Sequence, residues 1–307
     1  MKKVVITGAT SMLGLSLIEE CVINKIQVFA IIKKNSKKIN LIPNNPLIKI
    51  YECNIQDISN CNMEEDNYDV MYHFAWTDTD NASRNNVDSQ LLNIEYTINT
   101  IKFAKKLGCK KFIGAGSQAE YGRVCGEISE NNKVSPDSAY GISKYAVGKL
   151  GNIISNEIGI EFIWTRIFST YGINDMPSTM IIYCIDQLLN NKTPYFTKCE
   201  QIWDYLNCHD AARAFYFLGD KNCTYDLYNI GSGEAYPLSK FIIQIRDLIN
   251  PNLKLGFGEK EYALNQVMYL QSDIGRLKKD FNFVPKISFQ DGIKETILWR
   301  KKVLGLC

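Results

Sequence analysis

Two residues four apart, Tyr140 and Lys144, form the pair in the sequence with the clearest chemical use. This spacing places the two side chains next to each other on one face of a helix. An ammonium beside a phenol favours the phenolate and lowers a pKa that starts near ~10, which brings a tyrosine within range of proton transfer at neutral pH. Such pairs are common by chance, so the meaning of this one depends on what surrounds it.

The stretch ITGATSMLG, residues 6–14, follows a short β-branched run and precedes an apolar helical pattern. Glycines in such a loop allow a tight turn, a close approach of the backbone to a pyrophosphate, and close helix packing. Gly8 and Gly14 keep the first and last of these positions, whereas Ser11 stands at the middle one. Its hydroxyl is able to donate to a phosphate oxygen beside the first amides of the helix. A weakened nucleotide-binding loop is indicated, and an ordinary turn with a serine cap is the alternative.

Short apolar runs alternate with longer polar helical patterns over the first half of the chain. The runs QVFAII, DVMYHFAW, KKFIGAGS and IEFIWTRI are too short for helices, and SQLLNIEYTINTIKFAKKLG lies between two of them. This alternation predicts an α/β fold with a Rossmann-type doubly wound parallel sheet, buried on both faces. We expect the NAD(P)-binding domain over residues 1–167, with some later segments returning to it, and a smaller C-terminal substrate-binding lobe mainly over residues 168–307.

The composition suits a globular protein with a small partner. The 307 residues are 46% hydrophobic, and 35 Lys and Arg stand against 33 Asp and Glu. This balance provides no large basic surface for a nucleic acid or an anionic membrane. Because no apolar run approaches the ~18 residues of a membrane span and no signal peptide is evident, we expect a cytoplasmic protein. The cysteines lack a CxxC pair and the histidines lack metal-ligand spacing, which predicts reduced thiols and no metal.

Nine motifs follow one another along residues 4–292. They are TGATSMLG, HFAW, the Asn of LLNIEYTIN, GAGSQAEYG, YGISK, TRIFSTYG, WDYLNCHDAARA, YNIGSG and SDIGRLKKDFNFVP. In this order the chain resembles the extended short-chain dehydrogenase/reductase family, in its branch that acts on nucleotide sugars. The resemblance implies a catalytic triad of Ser117, Tyr140 and Lys144. It implies that the tyrosine exchanges a proton with a sugar hydroxyl or ketone, the lysine binds the nicotinamide ribose, and the serine hydrogen-bonds the reacting oxygen.

The resemblance also implies the contacts of a nicotinamide cofactor. The residues expected to bind it are Gly8, Thr10, Ser11, Met12, Leu13, Gly14, Lys33, Lys34, Asn54, Ile55, Phe74, Ala75, Trp76, Asn93, Tyr140, Lys144 and Ile167. A unit that selects NAD usually ends its second strand in an acidic residue, which bonds the adenine ribose. Here QVFAII is followed by Lys33 and Lys34, which favours NADP(H) over NAD(H). The alternative is that these lysines are ordinary solvated loop residues.

The expected substrate contacts depart from the family pattern in one place. They are Trp76, Ser117, Gln118, Tyr140, Ser169 and Trp203. Related enzymes hold the substrate diphosphate with one Asn and two Arg residues, at positions that read Ser169, Trp203 and, by spacing, Ala263 here. The basic residues that remain as candidates for this contact are Arg84, Lys192 and Lys198. Trp203 stacks on a base or sugar or fills the core, and Trp76, where relatives have a small residue, narrows the pocket or fills the core.

Hydride exchange at a sugar carbon is the reaction that the resemblance implies. Sugar 4,6-dehydratases carry an acidic pair directly after the triad hydroxyl, where this sequence has Gln118 and Ala119. Glu120 falls one residue too far, and strand alternation is expected to turn it to the other face. The weakened loop and the lysines favour an NADP(H)-dependent reductase of a nucleotide-linked 4-keto-6-deoxy sugar in polysaccharide or glycan precursor synthesis. An NAD(P)-dependent nucleotide-sugar 4-epimerase and a non-catalytic, cofactor-sensing protein remain as alternatives.

The resemblance implies a homodimer as well. In relatives, the helices that match residues 93–106 and 140–153 pair two subunits. We therefore expect a nucleotide sugar and a second copy of the chain as partners, with neither a nucleic acid nor a membrane.

Overall fold

The computed structural model describes residues 1–63, 67–80, 82–264 and 266–306. The strands, in chain order, are β1 (Lys3–Thr7), β2 (Gln27–Ile32), β3 (Ile48–Glu52), β4 (Val70–His73), β5 (Lys111–Ser117), β6 (Glu161–Ile167), β7 (Ser169–Tyr171), β8 (Ile202–Trp203), β9 (Tyr205–Asn207), β10 (Leu227–Ile230), β11 (Tyr236–Pro237) and β12 (Tyr269–Leu270). The helices are α1 (Met12–Ile23), α2 (Val87–Lys106), α3 (Ala139–Ile158), α4 (Met180–Leu189), α5 (Cys208–Asp220), α6 (Leu238–Ile249), α7 (Gly275–Phe281) and α8 (Phe289–Val303).

The largest element is a seven-stranded sheet with the order β3-β2-β1-β4-β5-β6-β10. All of its neighbouring strands run parallel. The strand order reverses between β1 and β4, and this reversal opens a crevice beyond the carboxyl ends of the two strands. Every residue of β4 and β5 is buried, as expected for parallel strands covered on both faces. The Rossmann-type doubly wound sheet expected from the sequence is confirmed.

Helices cover both faces of this sheet. On one face α1 packs against α5, and their apolar side chains, Leu17 and Phe215 among them, are fully buried with those of the strands. On the other face α2 packs against α3, where Ile101 and Val147 meet Phe112 of β5. Full burial of one such side chain contributes about 1.5–3 kcal/mol. The two cores fix α1 and α3 against the carboxyl edge of the sheet.

The chain beyond residue 167 contributes to the core of the large sheet and to two smaller apolar clusters. Strand β10 completes the large sheet, and α5 packs on α1. Helices α4, α6 and α8 enclose a separate apolar cluster that includes Ile185, Ile242 and Ile293. Some segments after residue 167, namely α5 and β10, therefore belong to the layers of the large sheet. Among the described residues, no helix combines the length and apolar character needed to cross a bilayer.

Candidate active site

The three triad residues lie on two elements at the carboxyl edge of the sheet. Ser117 ends β5, whereas Tyr140 and Lys144 occupy the first turns of α3. The Ser138 side chain caps α3 by accepting a hydrogen bond from the Gly141 N–H at 3.1 Å, and this cap sets where the helix begins. All three triad side chains line one cavity of about 400 Å³, here called the triad cavity.

Lys144 is buried against an aromatic face. Its Nζ donates a hydrogen bond to the Ala115 carbonyl at 2.5 Å and lies 3.5 Å from the centre of the Trp76 ring. An ammonium over an indole is attracted by the negative face of the ring. Burial lowers the pKa of Lys144 to about 7, and the Glu120 carboxylate opposes this decrease. The lysine therefore titrates near neutral pH.

The pKa of the Tyr140 phenol depends on other neighbours than the lysine that the sequence suggests. Burial raises the pKa of its phenol above the ordinary value, while a hydrogen bond with Ser117 and the charge of Arg84 act in the opposite direction. The Arg84 guanidinium carbon lies 5.0 Å from the centre of the Tyr140 ring. Because Lys144 is directed at Ala115 and Trp76, the expectation that it lowers the tyrosine pKa is not met in this structure. The phenol stays protonated at neutral pH, which suits a proton donor.

Glu120 is buried outside the walls of the triad cavity. After Ser117 the chain leaves the strand and forms a 3₁₀ turn at Gln118–Glu120. Glu120 is directed away from the triad cavity, as expected, but this turn is the cause and strand alternation is not. Its carboxylate accepts hydrogen bonds from the Ser117 N–H at 2.9 Å and from Arg166 Nε at 2.8 Å. These hydrogen bonds fix Glu120 and Arg166, so Glu120 is not available as an acid in the triad cavity.

A second cavity, of about 390 Å³ and here called the adenosine cavity, shares Trp76 as a wall with the triad cavity. Of the expected cofactor residues, the adenosine cavity is lined by Gly8, Thr10, Lys33, Asn54, Ile55, Ala75 and Trp76. The triad cavity is lined by Ser11, Met12, Leu13, Phe74, Trp76, Tyr140, Lys144 and Ile167. The three that line neither cavity are Gly14, Lys34 and Asn93. The expected residues thus divide between two adjoining spaces.

The loop between β1 and α1 has the geometry that a dinucleotide requires. Gly8 has a φ of +66°, and a Cβ there would lie 2.7 Å from the Ala75 backbone nitrogen. A Cβ on Gly14 would lie 2.5 Å from the Gly8 carbonyl oxygen. The Ser11 hydroxyl oxygen accepts from the Gly14 N–H at 3.1 Å, which leaves its own hydrogen available to a phosphate. The loop, with the first amides of α1, fits the pyrophosphate of NAD(P).

A hydrogen-bond network on α2 holds Trp76 in place. Its Nε1 donates to the Gln90 side-chain oxygen at 2.9 Å, and Asn93 Nδ2 donates to the same oxygen at 3.3 Å. Asn93 in turn accepts from the Thr77 N–H at 3.0 Å. Asn93 therefore supports the segment that carries Trp76. Sequence reasoning missed Gln90, which no motif marks.

Three residues differ from those that bind the substrate diphosphate in the family. Two of them form a hydrogen bond with each other. The Trp203 Nε1 donates to the Ser169 hydroxyl oxygen at 2.8 Å. Ser169 lines the triad cavity, whereas Trp203 lies outside its wall and packs against an apolar cluster that includes Phe168 and Leu270. Ala263 lines neither cavity. The core-filling alternative for Trp203 agrees with these contacts better than stacking on a ligand does.

Several residues of the triad cavity were not singled out by the sequence. They are Lys38, Thr79, Phe168, Thr170, Asn174, Asp175 and Met176. Three of them form the stretch NDM, which begins one residue after the STYG motif and whose turn-forming composition could have marked them. Of the proposed replacements for the missing diphosphate contacts, Arg84 lies against Tyr140, and Lys192 and Lys198 line neither cavity.

The sequence agrees with this geometry. The model of the NAD dependent epimerase/dehydratase family matches residues 4–231. The chain belongs to this family and is an NAD(P)-dependent enzyme of the extended short-chain dehydrogenase/reductase type. It is 25% identical to an uncharacterized UDP-glucose epimerase of Bacillus subtilis over 97% of both chains. It is 28% identical to the dTDP-4-dehydro-6-deoxyglucose reductase of Escherichia coli, over 75% of this chain and 74% of that one.

Solved structures share the fold over nearly the whole chain. A UDP-N-acetylglucosamine 4-epimerase of Methanobrevibacter ruminantium, in complex with UDP-N-acetylmuramic acid, superposes with a TM-score of 0.88 at 20% identity, covering 98% of this chain and 99% of that one. A UDP-glucuronic acid 4-epimerase of Bacillus cereus, in complex with NAD, gives 0.86 at 21% identity, covering 99% and 98%. At these identities the likeness establishes the fold.

Proposed function

We propose that the protein is an NADP(H)-dependent reductase of a nucleotide-linked 4-keto-6-deoxy sugar, in polysaccharide or glycan precursor synthesis. Support for hydride exchange comes from Ser117, Tyr140 and Lys144, which share one cavity. At the two positions where a dehydratase needs acidic residues, this chain has Gln118 and Ala119. The similarity to the Escherichia coli dTDP-4-dehydro-6-deoxyglucose reductase supports the substrate class.

The main observation in favour of a reductase is that the Trp76 ring lies over Lys144 Nζ. A ligand that needs this ammonium must break an existing contact, and the free energy lost in doing so weakens its net binding. A reductase releases its oxidised cofactor in each cycle, whereas an epimerase holds the cofactor through both half-reactions. Weaker net binding of the cofactor is suited to its exchange in each cycle.

The chain's residues divide the work at the sugar carbonyl. The Ser117 hydroxyl oxygen accepts from the Ala119 N–H at 3.1 Å, and a bound sugar would exchange the hydroxyl's hydrogen bond with Tyr140 for one to the carbonyl oxygen. Tyr140, whose phenol is held protonated, gives its proton to that oxygen as the alcohol forms. Lys144 Nζ lies 5.7 Å from the centre of the Tyr140 ring and would stabilise the resulting phenolate once its contact with Trp76 is exchanged for one nearer the phenol. A bound reduced nicotinamide supplies the hydride, and the protein supplies position and proton.

The choice of NADP(H) over NAD(H) rests on charge in the adenosine cavity. Among the described residues that line this cavity, Lys33 is the one that carries a formal charge. A carboxylate for the ribose hydroxyls of NAD is not among them. Lys34 follows Lys33, and its N–H donates to the Asn54 side-chain oxygen at 3.2 Å, which fixes this segment beside the cavity. A phosphate on the adenine ribose would meet the Lys33 ammonium.

The test is absorbance at the reduced-nicotinamide band, with purified protein, NADPH, and a panel of nucleotide-linked 4-keto-6-deoxy sugars. Stoichiometric loss of NADPH with one of them is expected. Tyr140→Phe should abolish turnover and keep cofactor binding, because the phenyl ring retains the packing and removes the proton. Unchanged activity in that variant would contradict the assignment of the proton donor. A variant with the exposed Tyr195 changed to Phe is the matched control.

A 4-epimerase is the second candidate, because the relative from Bacillus subtilis that covers 97% of this chain is named as a UDP-glucose epimerase. In that case the same assay would show no loss of NADPH, a nucleotide-linked hexose with a C4 hydroxyl would be converted to its C4 epimer, and the cofactor would co-purify with the protein. A non-catalytic binding protein is disfavoured by the intact triad and would show neither result.

Two further features belong to the proposal. We propose a homodimer formed through α2 and α3, since exposed apolar side chains line one face of each helix at helical spacing; these are Val87, Leu91, Ile142, Leu150 and Ile153. Sedimentation at micromolar concentration tests it, and a strict monomer would exclude it.

A cytoplasmic location is supported by the nine described cysteines, which are unpaired.

A further inference from the structure

Asp175 is a carboxylate of the triad cavity with unused acceptor capacity. It lies in the turn between β7 and α4, half-buried. One of its oxygens accepts from the Met176 N–H at 2.7 Å and the other from the Thr179 hydroxyl at 3.0 Å. Each carboxylate oxygen accepts about two hydrogen bonds. Each therefore keeps one position open to a further donor.

Among the described residues, Asp175 has no cationic partner in direct contact, although Lys38 and Lys144 line the same cavity. Within the described chain, no lysine, arginine or histidine forms an ion pair with it. The titratable group that interacts with it from the neighbouring strand is the phenol of Tyr205, whose pKa it helps to raise, after burial. Burial raises the pKa of Asp175 to about 6, and its two hydrogen bonds oppose this increase. A carboxylate in such a place is stabilised by further hydrogen-bond donors.

The cavity is the side from which such donors can come. Asp175, Ser169 and Thr170 line the triad cavity from β7 and the turn that follows it, whereas Ser117 and Tyr140 line it from β5 and α3. A sugar whose reacting carbon meets Ser117 and Tyr140 would present a different ring position to Asp175.

We propose that Asp175 binds a hydroxyl or amino group of the substrate sugar, at a ring position other than the one that exchanges hydride. The inference rests on the proposed function for the presence of a sugar in this cavity. It makes Asp175 a residue that selects among sugars by their hydrogen-bond donors, since a sugar lacking the donor leaves the carboxylate poorly satisfied.

Two substitutions separate binding from local folding. Asp175→Asn retains an oxygen for the Met176 N–H and an NH₂ for the Thr179 hydroxyl, so the turn persists while the charge is lost. Asp175→Ala removes both contacts. We would measure dissociation constants by titration calorimetry on the full chain with oxidised cofactor, using nucleotide-linked hexoses with hydroxyl, amino or no substituent at each position. Glu127→Gln, at an exposed site that lines neither cavity, is the control.

We expect Asp175→Ala to weaken the best sugar at least about tenfold, because hydrogen bonds to charged groups are the strong ones. The loss should vanish for the deoxy analogue that lacks the contacted group, since variant and analogue remove the same bond. Asp175→Asn should weaken an amino sugar as much as Asp175→Ala does and a hydroxyl sugar by less, which identifies the donor. Wild-type affinity should fall as the pH drops through about 6, and Asp175→Asn should lose this dependence.

The outcomes are distinguishable. If Asp175→Ala weakened every sugar and deoxy analogue equally, or none, the carboxylate would serve only the turn, and the inference would be overturned while the proposed function stood. If the wild-type protein bound no nucleotide sugar, the proposed function would fail and the inference with it.

Discussion

The Nζ of Lys144 lies 3.5 Å from the centre of the Trp76 ring, although the two residues belong to different elements of the fold. Trp76 also meets the Tyr140 ring edge to face, with the ring centres 6.2 Å apart. One aromatic side chain thus contacts two of the three triad residues. It also forms part of both cavities, so a cofactor that spans them must pass it.

Trp76 should report cofactor binding through its fluorescence. We expect oxidised cofactor to change the intrinsic tryptophan emission of the wild-type protein, because the indole loses or exchanges its contact with Lys144. In Trp76→Phe most of this change should disappear while calorimetry still shows binding. Trp299→Phe, whose ring packs in the core around α8, is the matched control and should respond like the wild type. An undiminished response in Trp76→Phe would show that the ring does not move.

Burial of Lys144 should make stability depend on pH. Its folded pKa of about 7 lies below the ordinary value, so the unfolded chain binds more protons between about pH 7 and pH 10. Stability from this group therefore rises with pH across that window and is smallest below it. From pH 7 to pH 9, the wild type should gain about 2 kcal/mol of unfolding free energy relative to Lys144→Met.

Urea unfolding of both proteins at several pH values measures this difference. Lys278→Met, at an exposed site on α7, controls for the loss of one charge. Parallel pH curves for the wild type and Lys144→Met would mean that the lysine stays charged in the folded protein, held by Trp76 and the Ala115 carbonyl.

The buried pair of Glu120 and Arg166 should be structural. Glu120→Ala leaves the guanidinium uncompensated, and we expect a loss of about 3–5 kcal/mol in unfolding free energy. The Ser117 N–H also loses its acceptor, so catalysis should fall in the protein that remains folded. Denaturant unfolding measures the first effect. The double variant Glu120→Gln with Arg166→Met should recover part of the stability, and a neutral Glu120→Ala would contradict the assignment.

How far the sequence predicts this site depends on the range of the contacts. Ser117 at a strand end and Tyr140 at a helix start are local features, so motif order suffices to place them at one edge of a parallel sheet. The bond between Trp203 and Ser169 joins residues in separate segments, and the direction of Glu120 depends on one 3₁₀ turn. Neither follows from periodicity, because the first depends on packing between distant segments and the second on a local turn that a strand pattern does not reveal.

Lys33 should determine the preference between the two cofactors. Its side chain lines the adenosine cavity, whereas Lys37 is exposed and lines neither cavity. We expect Lys33→Ala to weaken NADPH about tenfold and NADH little, because one charge-assisted hydrogen bond to the phosphate is lost. Lys37→Ala is the matched control and should change neither. Fluorescence titration of the two reduced cofactors measures the ratio. Tighter binding of NADH than of NADPH by the wild type would place the lysine outside the binding site and reverse the proposed cofactor.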